Sequence, residues 1–329
     1  MKKEIKDLDQ KKIAICLMGP TASGKSDLAE RLATILPAEI INVDSALVYR
    51  GMDIGTAKPS PSTLKKIPHH LIDIRSPQES YSAAEFVKDA TKCLEEIHER
   101  HHLPLLVGGT MLYFKALLQG LSDLPSSDAT LRASLEKTLH EKGLTALYTL
   151  LKTVDPEAAN KIHANDPQRI LRALEVYYLT GKKLSELQGQ RASSASDFQF
   201  LCIGLQPSSR TLLHERIECR FYDMLNHGFL EEVSRLHAQK ELHEKLPALR
   251  AVGYRQAWCY LENRLSYDEM IEKAITATRQ LAKRQLTWLR TWPHLHWLDS
   301  NDPEAINQVI KLLEAEKIKY PTASPNTSK

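Results

Sequence analysis

The chain has 329 residues, 42% hydrophobic and 26% charged, with a formal net charge of +3. That length suits about two domains and a core that needs no disulfide or metal staple. The charged fraction excludes wholesale disorder, and the charge balance excludes a uniformly basic nucleic-acid binder, so any basic surface must be local. Cys16, Cys93, Cys202, Cys219 and Cys259 form no C-x-x-C pair and read as reduced thiols of a cytoplasmic protein. The charged start MKKEIKDLDQKK leads into an apolar run too short for a signal-peptide core or a membrane span.

Ile13–Met18 is a short apolar run that meets Gly19, the pattern of a buried parallel strand. Leu28, Leu32 and Leu36 at four-residue spacing predict a helix, stopped by Pro37. Ile40–Val43 predicts a second strand ending in Asp44-Ser45, and Leu71–Ile74 a third. Ser82 and Glu85 predict a capping box ahead of a helix with Phe86, Ala90, Cys93 or Leu94, and Ile97 on one face. Leu105–Val107 reads as another strand, running into Gly108-Gly109-Thr110 and then a helix with Met111, Phe114 and Leu118. Strands alternating with helices imply a parallel α/β sheet flanked by helices.

At Leu124-Pro125-Ser126-Ser127 the rhythm changes. From Asp128 to Gln188 the pattern is helical with no strand, Gln190–Ser196 is polar and loop-like, and Phe198–Leu205 reads as a strand again. The expected organisation is an α/β core over 1–124 and a helical insertion over 125–197. A second, mostly helical part of the core follows over 198–320, with an edge strand at His296–Leu298, and a polar tail over 321–329.

Gly19-Pro20-Thr21-Ala22-Ser23-Gly24-Lys25-Ser26 fits G-x-x-x-x-G-K-[ST] between a predicted strand and a predicted helix. Glycines let backbone N–H groups turn inward around phosphate oxygens, and the helix amino terminus adds donors and dipole. Lys25 supplies a compact positive charge, and the Ser26 hydroxyl suits Mg²⁺. A P-loop NTPase-like sheet follows as the fold. The motif leaves a nucleotide or small-molecule kinase, a GTPase and an alkyl transferase all open.

Asp44 and Ser45 fall just past the second strand, and Thr110 just past the strand ending in Gly108-Gly109. Ligands of open α/β sheets sit outside the carboxyl ends of the strands, so these residues and the phosphate loop are expected in one crevice. Asp44 there can serve as a water-mediated Mg²⁺ ligand, as a general base, or as a helix cap. The polar segment Asp44–Lys58, with Tyr49, Arg50, Asp53 and Thr56, is expected to be functional rather than a plain connection.

The blocks GPTASGKS, DSALVYRGMDIGTAKP, HHLIDI, LLVGGTMLYFKALLQGL, NDPQRILRALEV, RAVGYRQ and TRQLAKRQLTWLR occur in this order from about residue 13 to about 300. Together they resemble the tRNA dimethylallyltransferases, also called tRNA isopentenyltransferases. The resemblance implies that dimethylallyl diphosphate sits with its diphosphate in the Gly19–Ser26 loop. The exocyclic amine of the adenosine 3′ of the anticodon, position 37, attacks the allyl carbon, and pyrophosphate leaves. It makes Asp44 the base, sets Thr110 beside the reacting centre, and sends Arg220 to the diphosphate. Arg216, one helical turn away, is an alternative to Arg220.

The resemblance also implies tRNA contacts. Asp44, Ser45, Ala46 and Leu47 would meet the flipped base, with Thr110 and Arg132 as further contacts. In the insertion the block is Gln168, Arg169, Ile170, Leu171 and Arg172. In the core it is Arg250, Ala251, Val252, Gly253, Tyr254 and Arg255. Near the end, Lys283, Arg284, Gln285 and Leu286 continue into Thr287, Trp288, Leu289 and Arg290, with Arg279 on the same basic stripe. Leu47 stands where many relatives carry glutamine, so a base contact by that amide is absent or made differently. The histidines at 69–70 and 98–102 lack a credible four-ligand set and read as solvated, so no zinc is expected. The expected partners are tRNA and dimethylallyl diphosphate, with no membrane, and a monomer suffices.

Overall fold

A computed structural model of the chain describes residues 12–188 and 197–316. The expected loop Gln190–Ser196 and the polar tail from 321 lie outside the described residues. In chain order the elements begin β1 (Lys12–Met18), α1 (Lys25–Ile35), β2 (Ala38–Val43), α2 (Pro61–Lys66), β3 (His69–His70), α3 (Ala83–Glu99), β4 (Leu103–Gly108) and α4 (Met111–Gln119). Next come α5 (Ala129–Val154), α6 (Pro156–Lys161), α7 (Pro167–Thr180) and α8 (Leu184–Leu187). The rest is β5 (Phe198–Gln206), α9 (Arg210–Asn226), α10 (Phe229–His237), α11 (Tyr254–Leu261), α12 (Tyr267–Arg290), β6 (His296–Asp299) and α13 (Ala305–Ala315).

The six strands form one parallel sheet in the order β3-β2-β4-β1-β5-β6. β1 passes over a neighbouring position to reach β2, and β4 later fills the gap. β1 therefore sits where connections diverge to either side, the place at which such sheets open a crevice. The strands read as unbroken apolar runs because both faces are covered. Ile15, Leu17, Ile40, Leu105, Ile203 and Leu298 pack with Leu28 and Leu32 of α1 and Val309 and Leu313 of α13. On the other face, α3 lies against β2 and β4. Its capping box is formed, with Glu85 N–H on Ser82 Oγ and Ser82 N–H on Glu85 Oε2, and it buries Phe86, Ala90, Cys93, Leu94 and Ile97.

The expected third strand over Leu71–Ile74 is corrected. The paired residues are His69 and His70, opposite Ile40 and Ile41. Leu71 and Asp73 have φ of 62° and 57°, which ends the extended run before the apolar residues begin. His69 and His70 are thus strand residues, not a solvated loop, and both are half-buried.

Two compact units separate by contact: residues Leu118–Ser194, and the sheet-bearing remainder. The first is helical and has its own core of Leu135, Leu147, Leu151, Ile170, Leu171 and Leu174, joined by Leu184 and Leu187 of α8. Its α5 is two helical stretches broken at Gly143. Two buried carboxylates tie its turns. Glu175 accepts from Ser127 Oγ, Asp128 N–H and Arg172, and Asp155 accepts from Ala158 N–H and from Ser185 N–H and Oγ. Among the described residues no helix is long and apolar enough to cross a membrane.

Candidate active site at the carboxyl edge of the sheet

The loop between β1 and α1 is held from within. Ser23 N–H reaches Pro20 C=O at 3.3 Å, and the buried Ser23 hydroxyl lies 3.5 Å from Lys25 Nζ. Gly24 precedes α1 with φ 82°, a left-handed conformation that favours glycine. No side chain caps α1, so its first-turn N–H groups are left for a ligand. Ser26 is exposed in that first turn. Lys25 Nζ donates to Pro20 C=O at 2.6 Å. Burial pulls its ammonium down to about 7, the charge of Asp44 pushes it back up, and that of Arg220 adds to the fall. The lysine is short of counter-charge, as a site awaiting an anion should be.

Asp44 lies one residue past β2, within electrostatic reach of Lys25 and Arg220. Its Oδ1 accepts Ala46 N–H at 2.8 Å, and among the described residues its other oxygen accepts nothing. The helix-cap reading is corrected: no helix follows Asp44 before α2, and the one bonded oxygen closes a local turn and leaves the second free. Asn42 fixes this corner from below, its amide donating to Asp44 C=O and Leu71 C=O. Thr110 Oγ1 receives Ser45 N–H at 3.1 Å and lies 3.5 Å from Ser45 Oγ. Lys25, Asp44, Ser45 and Thr110, predicted to converge, do converge. Ser45 is exposed, and Ala46 and Leu47 are half-buried in the turn beyond it.

Arg220 of α9 donates to Thr56 C=O at 3.3 Å, and burial lowers its pKa while Asp44 raises it. Arg216 is engaged elsewhere, with Ser300 and Asn301. Of the two arginines, Arg220 is the one facing the Lys25–Asp44 cluster. The turn leading into Thr56 is held by a residue that sequence reasoning missed. The buried Glu232 of α10 accepts Asp53 N–H and Ile54 N–H at 2.8 Å, Gly55 N–H at 3.1 Å and the Tyr254 hydroxyl at 2.5 Å. A usable signal existed: in FLEEVSRLH, Glu232 falls on the stripe of Phe229, Val233 and Leu236, where a carboxylate must have partners. Lys58, its side chain only 5% exposed, completes the brace by binding Asp53, Asp73 and Tyr49 C=O. The segment Asp44–Lys58 is a pinned scaffold rather than a solvated loop.

The long basic blocks divide by face. Ile170 and Leu171 are buried in the helical unit's own core, Leu289 is buried on α12, and Tyr254 is buried with its hydroxyl on Glu232. As tRNA-facing side chains these four are corrected: burial commits them to packing. Gly253 is buried as well, and Ala251 and Val252 are half-buried, while Arg250 and Arg255 are exposed. Gln168 and Arg169 are exposed at the start of α7, but Arg172 is spent on Glu175 and Pro125 C=O. Arg132 pairs with Glu136 along α5. On α12, Lys283, Arg284, Thr287, Trp288 and Arg290 are exposed and Leu286 is half-buried, whereas Arg279 is paired with Glu218 at 2.7 Å. Gln285 points inward, to the phosphate loop.

The model of the IPP transferase family matches residues 47–292. Solved structures agree over nearly the whole chain. The tRNA isopentenylpyrophosphate transferase of Bacillus halodurans is 37% identical, with 94% of this chain and 97% of that one covered and a TM-score of 0.68. The tRNA delta(2)-isopentenylpyrophosphate transferase of Staphylococcus epidermidis is 34% identical, with 93% and 100% covered and a TM-score of 0.66. A eukaryotic dimethylallyltransferase acting on tRNA is 30% identical, with 95% and 81% covered and a TM-score of 0.77. The family match begins after the phosphate loop and Asp44, so the geometry of that edge is independent support for what the match says of the remainder. With a parallel sheet, an anion-ready loop and a carboxylate beside it, the chain belongs to the IPP transferase family.

Proposed function

We propose that this enzyme transfers a dimethylallyl group from dimethylallyl diphosphate to the exocyclic amine of adenosine 37 in tRNA and releases pyrophosphate. The observation that carries the proposal is the pairing of an uncompensated Lys25 with a half-open Asp44 carboxylate at one sheet edge. The amine nitrogen attacks the first allyl carbon, its bond forms as the carbon–oxygen bond to diphosphate breaks, and the amine proton passes to Asp44. An adenine amine is a weak nucleophile, and a positioned base is worth typically about 10²–10⁴-fold. Lys25, Arg220 and the first-turn amides of α1 would meet the charge growing on the leaving group. Thr110, fixed against Ser45, would hold the adenosine beside Asp44.

The exposed Ser26 hydroxyl, with diphosphate oxygens and water, forms a donor set that fits Mg²⁺. When bound, the ion would supply further charge stabilisation to the leaving diphosphate. The exposed Arg250, Arg255, Lys283, Arg284, Trp288 and Arg290 would hold the anticodon arm, as would Gln168 and Arg169 of the helical unit. A cytoplasmic monomer is sufficient for the reaction. Family membership disfavours the kinase reading that the phosphate loop alone left open.

The test is incubation with labelled dimethylallyl diphosphate and unmodified tRNA, followed by nucleoside analysis. Label on adenosine, with pyrophosphate released only when tRNA is present, is expected. Unlabelled adenosine, or phosphoryl transfer from ATP, would contradict the proposal.

A further inference from the structure

α12 carries its charged side chains outward, yet one polar residue in the same stretch faces the other way. Ala282 and Leu289 are buried and Gln285 and Leu286 half-buried, while Lys283, Arg284, Thr287 and Trp288 are exposed. Gln285 thus lies on the inner stripe of the helix, and both ends of its amide are engaged. Its Oε1 accepts Thr21 N–H of the phosphate loop at 2.9 Å, and its Nε2 donates to Gly109 C=O at 2.8 Å. The approach is close: a Cβ on Gly109 would come within 2.3 Å of that Nε2. Gly109 directly precedes Thr110, whose hydroxyl takes Ser45 N–H beside Asp44. One side chain therefore joins the loop after β1 to the loop after β4, two adjacent strands whose ends bound the crevice.

Resting on the prenyl-transfer reading, we infer that Gln285 is a positioning residue. It sets the distance between the diphosphate cradle and the Asp44–Thr110 pair, and so between the leaving group and the base. The residue type follows from the two bonds. One end must accept from an N–H and the other must donate to a carbonyl, at a reach that only an amide of this length provides. Glutamate would keep the first bond and set a carboxylate oxygen against the Gly109 carbonyl. A displacement of about 1 Å between reacting groups can cost on the order of 10²-fold in rate. An effect of this kind appears at saturating substrate, because both ends of the amide act on loop backbone, at Thr21 and Gly109. A direct RNA contact by Gln285 would behave differently, raising the tRNA concentration needed and changing the salt response.

The experiment compares wild type, Gln285→Glu and Gln285→Met. Single-turnover transfer is measured at saturating tRNA and dimethylallyl diphosphate, together with the tRNA Kd across a salt series and Tm. Wild-type transfer tests the underlying reaction; the variants test Gln285. The expected result is a rate lower by about 10-fold or more in both variants, with tRNA Kd within about twofold and an unchanged salt slope. A raised tRNA Kd with a shallower salt slope and an unchanged rate would overturn the inference in favour of an RNA contact. A lowered Tm with the rate unchanged would overturn it in favour of a purely structural tie.

Discussion

Strand β2 carries a carboxylate near each end, and the two have opposite surroundings. Glu39, at its start, is buried and saturated: Arg100 binds it through Nε and Nη2 at 2.8 Å, His70 at 2.7 Å and His102 at 2.8 Å. Burial alone would push the Glu39 carboxyl up, but the bonds from Arg100, His70 and His102 bring it down to about 2. Asp44, just past the other end, has one oxygen in a turn and one uncommitted, with cations nearby that are not bonded to it. A saturated carboxylate is fixed in one state and stabilises the fold. A partly satisfied one beside a lysine short of counter-charge is available for proton transfer and for a new ligand.

The contrast predicts different losses at the two ends. At the carboxyl edge, Lys25→Met should lower kcat/KM for transfer by about 10² or more, since one of the cations meeting the charge on the departing diphosphate is then gone; a loss below fivefold would remove Lys25 from that role. The same lysine carries a pH signature. Its ammonium titrates at about 7 in the free protein, and a bound diphosphate holds the charged form and raises that value. Pyrophosphate affinity should therefore fall as pH rises above about 7. Subtracting the profile of Lys25→Met removes pyrophosphate's own titration, and identical profiles would contradict the assignment.

At the amino end, Glu39→Gln should cost roughly 1–3 kcal/mol of stability at pH 7, because an amide cannot satisfy so many donors. The Glu39 carboxyl is held below its ordinary 4.5 in the folded chain. Its contribution is therefore present above that value and is lost as pH falls toward about 2. Urea unfolding across pH should show wild type and variant converging in acid; a constant gap would mean that ionisation is not involved. The smallest expected effect lies on α12. Lys283→Ala with Arg284→Ala should make the salt dependence of tRNA binding shallower by about 1–2. Arg279→Ala should change that slope less, since Glu218 already holds the guanidinium. Equal slopes for Arg279→Ala and the double variant would break that distinction.

The phosphate loop and its crevice were legible because every part is local in sequence: an apolar strand, a glycine turn, an aspartate one step past the next strand. The strands were legible because a sheet buried on both faces writes continuous apolar runs. The misplaced strand at Leu71–Ile74 shows the limit, since two histidines pair in the ladder while the apolar residues after them turn away. The tRNA blocks show another. A contiguous stretch on a helix includes inward residues, and Ile170, Leu171 and Leu289 are core while their neighbours are surface. Gln285 and Glu232 find the loop backbone they hold over 100 residues away in the chain, so no spacing rule reveals which groups they join.

The central claim is that the two carboxylates of β2 divide the work, one chemical and one structural. Single-turnover transfer with enzyme saturated in tRNA and dimethylallyl diphosphate tests it most directly, using folded Asp44→Asn and Glu39→Gln side by side. Asp44→Asn should be slower than wild type by at least about 10² with tRNA affinity within a few-fold, and Glu39→Gln should keep the wild-type rate within a few-fold. An undiminished rate in Asp44→Asn would contradict the account.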